Sequence, residues 1–306
     1  MTLTITPENA GRRLDKFLFA YFNNAPHSFI YKMLRKKRIK LNGARAEGSE
    51  LLQTGDELRF YLSEETIKSC RKPRIFAAAK PLTDIIFEDE NILVVNKPAG
   101  LPSQGGMENQ DHLLARVLFY LQEKGNSFAD FSPAICNRLD VNTSGLVICG
   151  KNLRALQTIN AMFANREIDK EYTAIAHGNM GKVGDSRTLE GIYKRDPQTN
   201  TATITHGTGE PQAITAYTIL ATAKNYTLLS VKPITGRSHQ IRAHLASIGH
   251  PLAGDKKYGG KSTPYAPAQL LHCRKLEITK KPFSKSSKWE APLPEGLQKC
   301  LREWFA

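Results

Sequence analysis

The chain has little of what would mark it for secretion, a membrane or a structural metal. Its 306 residues hold five cysteines, at positions 70, 136, 149, 273 and 300. That odd count includes no C-x-x-C pair, so it supplies neither a disulfide framework nor a zinc site and fits reduced thiols in a cytosolic protein. No apolar run is long enough to span a bilayer. The opening Met1-Thr2-Leu3-Thr4-Ile5-Thr6-Pro7 has neither a basic n-region nor an apolar h-region, so no secretory signal is expected. Acid is also in short supply: 29 Asp and Glu face 43 Lys and Arg, a formal net charge of +14. Such an excess favours a polyanion as partner, because neutralising phosphates releases their condensed counterions. A soluble, cytoplasmic protein is expected.

What is present suffices for a core. Hydrophobic residues make up 41% of the chain and charged residues an ordinary 24%. The length exceeds one typical domain, so one large and one small domain are expected. In residues 1–63, Arg12-Arg13-Leu14-Asp15-Lys16-Phe17-Leu18 opens an amphipathic helix. Ser28 is placed to cap a second helix over about 29–37, with Ile30, Met33 and Leu34 on its apolar side. Lys32, Arg35, Lys36 and Lys37 load that helix with cations, and Arg38 and Lys40 extend the run. Ile39 to Arg45 reads as a strand and an Asn42-Gly43 hairpin turn, and Leu58 to Leu62 as a closing strand. Eleven Lys and Arg against six Asp and Glu give this stretch a net +5. Cations gathered on one element, opposite an apolar side, point to RNA contact rather than a merely solvated face. Residues 64–82, with Lys68, Arg71, Lys72, Pro73, Arg74, Lys80 and Pro81, keep no period and read as a basic linker.

The remainder, 83–306, mixes strands and helices without a βαβ repeat, so α+β is favoured over a doubly wound parallel sheet. Strands are expected at Ile85–Glu88 and Ile92–Asn96, ended by the bend Lys97-Pro98-Ala99-Gly100. Helices are expected over His112–Gln122, Lys151–Arg166 and Glu295–Phe305. Lys170–Ala176 reads as a strand, 177–212 as short strands and loops, and Ala213–Thr222 with Tyr226–Pro233 as a hairpin. Two dense motifs punctuate this region. Asn137-Arg138-Leu139-Asp140-Val141-Asn142-Thr143-Ser144-Gly145 precedes the apolar run Leu146-Val147-Ile148, which puts the Asp140 carboxylate at a strand mouth. Thr235-Gly236-Arg237-Ser238-His239-Gln240-Ile241-Arg242-Ala243-His244 leads into a helix.

Taken singly, the candidate residues have plain structural readings. Asp140 could be a turn aspartate accepting backbone N–H groups, Tyr172 a half-buried strand aromatic, and Arg242 a helix-face cation. His239 and His244 lack the i, i+4 spacing of a helical zinc pair and read as structural or substrate-facing. Asp169 and Glu171 suggest the paired acids of a glycosidase, but Lys170 and Tyr172 between and beside them fit another pattern.

Together these pieces resemble the RluA family of pseudouridine synthases. The resemblance is carried by Asn137–Gly145, by Arg166–Ala174, by Thr235–His244 with Gly249-His250-Pro251-Leu252-Ala253-Gly254-Asp255, by Asn96–Gly100 and by Ala291-Pro292-Leu293-Pro294. One departure is Asn137, where the family pattern has histidine. Residues 1–63 resemble an S4 RNA-binding domain. The run Pro26-His27-Ser28-Phe29-Ile30-Tyr31-Lys32-Met33-Leu34-Arg35-Lys36 and the Gly105-Gly106 pair lean towards the enzymes of large-subunit ribosomal RNA. The resemblance implies a pseudouridine synthase fold, with a mixed, largely antiparallel sheet and flanking helices, behind an S4-like domain. It implies isomerisation of uridines, in 23S rRNA or its large-subunit precursor, without cofactor or metal, by a monomer that does not act on DNA. Asp140 would be the essential carboxylate, Arg242 its partner that keeps it ionised and aimed, and Tyr172 the ring under the base. Arg138, Lys32, Arg35, Lys36, Lys37 and Arg38 would hold RNA. The rival from another class is a non-catalytic S4-type RNA-binding or ribosome assembly protein; intact Asp140, Tyr172 and Arg242 weigh against it.

Overall fold

A computed structural model describes residues 1–71, 80–105, 111–126, 128, 131–205, 207, 209–210, 212–280 and 286–306. In the first unit, strand β1 (Thr2–Thr4) precedes helices α1 (Leu14–Tyr21) and α2 (His27–Arg35), and β2 (Ile39–Leu41), β3 (Ala44–Arg45) and β4 (Glu57–Phe60) follow. The four strands pair antiparallel in the order β1-β4-β2-β3. The helical spacing of Leu14, Phe17, Leu18 and Tyr21 on α1 and of Ile30 and Leu34 on α2 sends these side chains into one core with Ile39, Leu58 and Phe60. Asn42 (φ 49°) and Gly43 (φ 77°) both take positive φ, the backbone of a tight two-residue hairpin.

The structure corrects three expectations in this unit. Helix α2 starts at His27 with Pro26 at its N-cap, so Ser28 lies inside the first turn and caps nothing. The helix stops at Arg35, and Lys37 (φ 58°) swings the chain away, leaving Lys36, Lys37 and Arg38 in the turn rather than on the helix face. The stretch expected to be a linker opens with a further helix, α3 (Glu64–Cys70), capped by Ser63 Oγ, which accepts the N–H of Thr66 at 3.2 Å. Its Ile67 and Cys70 close the first core, and Arg71 lies over the ring of Tyr21. The first unit therefore packs to about residue 71, not 63. Two apolar anchors in seven residues give too little period to read. Lys72, Pro73 and Arg74 lie outside the described residues, as does Gly106.

The second unit is built on an eleven-stranded sheet. In chain order it comprises β5 (Ile85–Glu88), β6 (Ile92–Lys97), α4 (Leu113–Glu123), β7 (Ala134–Ile135), β8 (Ser144–Gly150), α5 (Leu153–Ala164) and β9 (Ile168–His177). Then come β10 (Ser186–Asp196), β11 (Thr201–Thr205), β12 (Gln212–Thr222), β13 (Tyr226–Pro233), α6 (Gln240–Ser247), β14 (Leu271–Ile278), β15 (Lys288–Glu290) and α7 (Glu295–Trp304). The strand path is β11-β10-β12-β13-β9-β14-β8-β6-β5, with β15 on β14 and β7 on β8. Only the β8–β14 junction is parallel, so the sheet is mixed and largely antiparallel, as expected. Residues 177–212 differ from the expectation of short strands: they hold the eleven-residue β10, which pairs with both β11 and β12. His112 and Asn152 cap α4 and α5 by accepting the N–H groups of Ala115 and Ala155.

Two of the apolar cores on this sheet meet at its middle. Leu113, Val117 and Leu121 of α4 and Ala155 and Ile159 of α5 pack with Val94, Val95, Leu146 and Ile148. Ile241 and Leu245 of α6 pack with Ala174, Tyr217, Leu229 and Val231. Each such aliphatic side chain contributes about 1.5–3 kcal/mol on full burial. Tyr172 touches both cores, so it stands on the seam, next to the parallel junction.

Candidate active site

The turn before β8 sets the first side chain. Thr143 N–H donates to the Asp140 carbonyl at 3.0 Å, closing a tight turn that holds the acid at the strand mouth. The segment ahead of it is tied down by Asn137, whose Oδ1 accepts from Ile148 N–H (2.9 Å) and whose Nδ2 donates to the Leu146 carbonyl (3.1 Å). Asn137 thus serves as a side-chain rung along β8, which accounts for an amide at that position. Gly145 follows with φ +117°, and a Cβ there would lie 2.3 Å from the Cys273 carbonyl of β14. Only glycine lets the two parallel strands close up beside Asp140.

The turn before α6 sets the second group. Buried Gln240 accepts from Thr235 Oγ1 (2.7 Å) and Arg237 N–H (3.0 Å) and donates to the Ile214 carbonyl and Thr215 Oγ1. Four bonds from one amide fix the turn onto β12 and so fix the start of α6. From that helix Arg242, with 7% of its side chain exposed, sends Nη1 to Asp140 Oδ2 at 3.1 Å. Its Nε and Nη2 fork onto Asp255 at 2.7 and 2.8 Å. Burial works against the charge of Arg242, but the bonds to Asp255 and then the charges of Asp255 and Asp140 hold its pKa above the usual guanidinium range. The Tyr258 ring lies beneath the guanidinium, 4.8 Å from centroid to Cζ.

Tyr172 comes from β9, paired with Val231 of β13 and Cys273 of β14. Its ring lines a cavity of about 500 Å³ together with Asp140, Arg166, Lys170, Ile241, Arg242 and Leu271. Burial pushes the phenol well above its usual pKa, so it is neutral at ordinary pH. Strand alternation puts Lys170 and Tyr172 on the cavity side and turns Asp169 and Glu171 away; Glu171 instead accepts from Ser230 Oγ at 3.0 Å. That separation removes a glycosidase pair. A second hollow of about 730 Å³ adjoins Asp140 on another side, with Arg138, Arg195, Arg237, Lys256 and Lys257 in its walls. Among the described residues no three His, Cys, Asp or Glu side chains cluster as a metal site.

Known proteins resemble this chain in sequence and in architecture. Residues 91–247 match the family model described as RNA pseudouridylate synthase. The chain belongs to that family. It is an RNA-modifying isomerase, and the RluA-type resemblance of its motifs is borne out. The ribosomal large subunit pseudouridine synthase C of Rickettsia felis is 34% identical over 92% of this chain and 93% of its own. The ribosomal large subunit pseudouridine synthase D of Salmonella typhimurium is 32% identical over 97% and 92%. Among solved structures, human RNA pseudouridylate synthase domain containing 4 superposes with a TM-score of 0.58 at 22% identity, over 72% of this chain and 92% of that one. That likeness concerns the fold.

In this synthase, Asp140, Tyr172 and Arg242, separated by up to 102 residues, converge on one cavity. Arg138 is exposed at the rim between both hollows. Lys32, Arg35, Lys36, Lys37 and Arg38 are exposed on the first unit and line neither hollow. The two histidines part ways: His244 is buried with Nδ1 on Thr215 Oγ1, whereas His239 faces Asp140.

Two neighbours of this site, Asp255 and Lys97, stand inside motifs of the sequence whose residue types alone give them no role. Lys97 is fully buried, and its ammonium donates to the carbonyls of Pro98, Leu101 and Val141 at 2.7–2.9 Å. Burial pushes its pKa down to about 7 while the Asp140 charge pulls it up. Three carbonyls need three N–H donors, so the charged form is the one the cage holds. Val141 follows Asp140 directly, so this cage also fixes the acid's backbone. A Lys before Pro offers no sequence signal of burial; charge at that position reads as surface.

Proposed function

We propose that this synthase isomerises uridines of 23S rRNA or its large-subunit precursor, with Asp140 as the reacting carboxylate. The observation that carries the reading is the 3.1 Å contact of Arg242 with Asp140 on the wall of a cavity that also presents Tyr172. In the reaction the N1–C1′ bond breaks, the base turns, C5 bonds to C1′, the C5 proton leaves and N1 takes one up. Atoms balance within the substrate. Asp140 either attacks C1′ or takes a proton from C2′. Arg242 holds the carboxylate in line through a charge-assisted bond, and Asp255 holds Arg242. Tyr172 stacks against the base. A stacked uridine must first be flipped out, at a cost of a few kcal/mol, which Arg138 and the basic hollow offset by gripping the backbone. The large-subunit target is favoured by the names of both bacterial relatives. The S4-like first unit, with Lys32, Arg35, Lys36, Lys37 and Arg38 exposed, supplies a second grip on rRNA. A cytoplasmic monomer fits this role; no helix among the described residues is long and apolar enough to cross a membrane.

Chemical mapping of pseudouridine in rRNA tests the target. Cells lacking this chain should lose pseudouridine at one or more 23S positions, restored by the wild-type chain and not by Asp140→Asn. An unchanged 23S pattern would overturn the assignment.

A further inference from the structure

Beside the Arg242–Asp140 pair stands a nitrogen for which the described residues provide no hydrogen-bond partner. His239 precedes α6 in a left-handed backbone conformation (φ 55°), and its Nε2 lies 3.8 Å from Asp140 Oδ2, beyond hydrogen-bond reach. Its other nitrogen, Nδ1, is 2.9 Å from the Tyr258 hydroxyl. That hydroxyl already accepts the N–H of Ala202 at 2.7 Å. A phenol owns one proton, and Tyr258 bonds no other acceptor among the described residues, which favours donation of that proton to Nδ1. Burial pushes the imidazole pKa below its ordinary value, with Asp140 pulling the other way, which favours the neutral ring. Its single hydrogen therefore sits on Nε2 and points into the space beside the carboxylate.

The surroundings say which part of a nucleotide occupies that space. His239 lines both hollows: the one with Tyr172, shaped for a base, and the one walled by Arg138, Arg195, Arg237, Lys256 and Lys257, suited to phosphates. Between base and phosphates lies the sugar. A carboxylate about 3–3.5 Å from C1′ or from the C2′ hydrogen has the ring O4′ and the 2′ oxygen close by, and of these two only the 2′ oxygen tells ribose from deoxyribose. We propose that His239 donates its Nε2–H to the 2′ oxygen of the target ribose, so that the site recognises the sugar as ribose. Tyr258 acts through His239 by fixing its tautomer. This rests on Asp140 being the group that reacts with that sugar.

The test uses a synthetic RNA hairpin spanning a mapped target uridine, and a second hairpin with 2′-deoxyuridine at that position alone. Wild-type turnover of the first hairpin is the control for the underlying reading; its failure would indict the assignment of Asp140 or of the target, not of His239. Binding is measured in an Asp140→Asn background so that no turnover intervenes. Adding His239→Leu should weaken binding of the ribose hairpin about five- to tenfold, the loss expected of about one net hydrogen bond. Deoxyuridine should cost the His239 protein the same factor and cost the His239→Leu protein nothing more. His239→Gln, which keeps an N–H donor, should retain most of the discrimination. Losses that multiply in the double change would overturn the contact. So would nitrogen NMR of the free enzyme showing the His239 proton on Nδ1.

Discussion

At the scale of single residues, the site depends on one guanidinium shared by two carboxylates of unequal exposure. Asp255, 1% exposed, takes the two-pronged face of Arg242, and Asp140, 25% exposed, takes the remaining nitrogen. Asp255 therefore orients the arginine, and Asp140 is left accessible for chemistry. Replacing Asp255 with Asn removes one charge from a buried pair, a change that costs about 3–5 kcal/mol when uncompensated; the amide retains part of the bonding. The expected result is a fall in kcat of about ten- to a hundredfold, as a misaimed group produces, with RNA affinity within about threefold. Steady-state kinetics beside a binding titration would separate the two; equal falls in affinity and kcat would contradict a positioning role. Asp140, Tyr172 and Arg242 are legible in the sequence because each sits inside a dense motif. Asp255 also ends a motif, Gly249–Asp255, but turn and loop separate it from Arg242 and no periodicity predicts that they meet. His239 and His244 look alike in one motif; a left-handed backbone at the first and a fully buried helix face at the second divide them.

At the scale of elements, two features hold the seam on which the site lies. Gly145 permits the parallel approach of β8 to β14. Gly145→Ala places a methyl carbon on the Cys273 carbonyl in a backbone region that L side chains avoid, and should leave little folded protein. Thermal unfolding of any soluble fraction checks this; a wild-type midpoint would contradict the packing described. Further out, Glu88 at the end of β5 accepts from Tyr120 of α4 and binds Lys124 and Lys151, each at 2.8–2.9 Å. Burial raises its pKa, but these bonds outweigh it and bring the carboxyl down to about 2. Because the folded value lies below the unfolded one, this contribution is complete above about pH 4.5 and is lost as pH falls towards 2. Glu88→Gln should cost about 2 kcal/mol at pH 7, and the gap from wild type should narrow between about pH 5 and pH 3. Urea unfolding across that range would show it, and a gap independent of pH would refute it. Strands and helices with clear period are legible to within a few residues. The long β10 is not, because its exposed, Arg- and Thr-bearing face shows no apolar alternation.

At the scale of the molecule, the two units have separate cores, and the proposed grip on RNA and the proposed chemistry fall on one each. The first buries Ile67 and Cys70 of α3 in its own core, so a cut at about residue 71 respects the packing, whereas a cut at 63 would strand that helix. The protein lacking residues 1–71 should keep the melting behaviour of the second unit and bind rRNA more weakly. Its affinity should also depend less steeply on salt, by about one unit of slope for each phosphate that the first unit neutralises. Unchanged affinity and salt slope would mean that the first unit does not hold RNA. The extent of that unit is the least legible part of the architecture, because a seven-residue helix with two anchors looks like linker until the core it completes is known.

The central claim is that Asp140 drives isomerisation at a uridine. Unmodified large-subunit rRNA labelled with tritium at uridine C5 gives the most direct reading, since that hydrogen leaves only when C5 bonds to the sugar. The account predicts release by the wild-type protein and none by Asp140→Asn. Release by both would contradict the role of Asp140, and release by neither, with RNA binding intact, would contradict catalysis on this substrate.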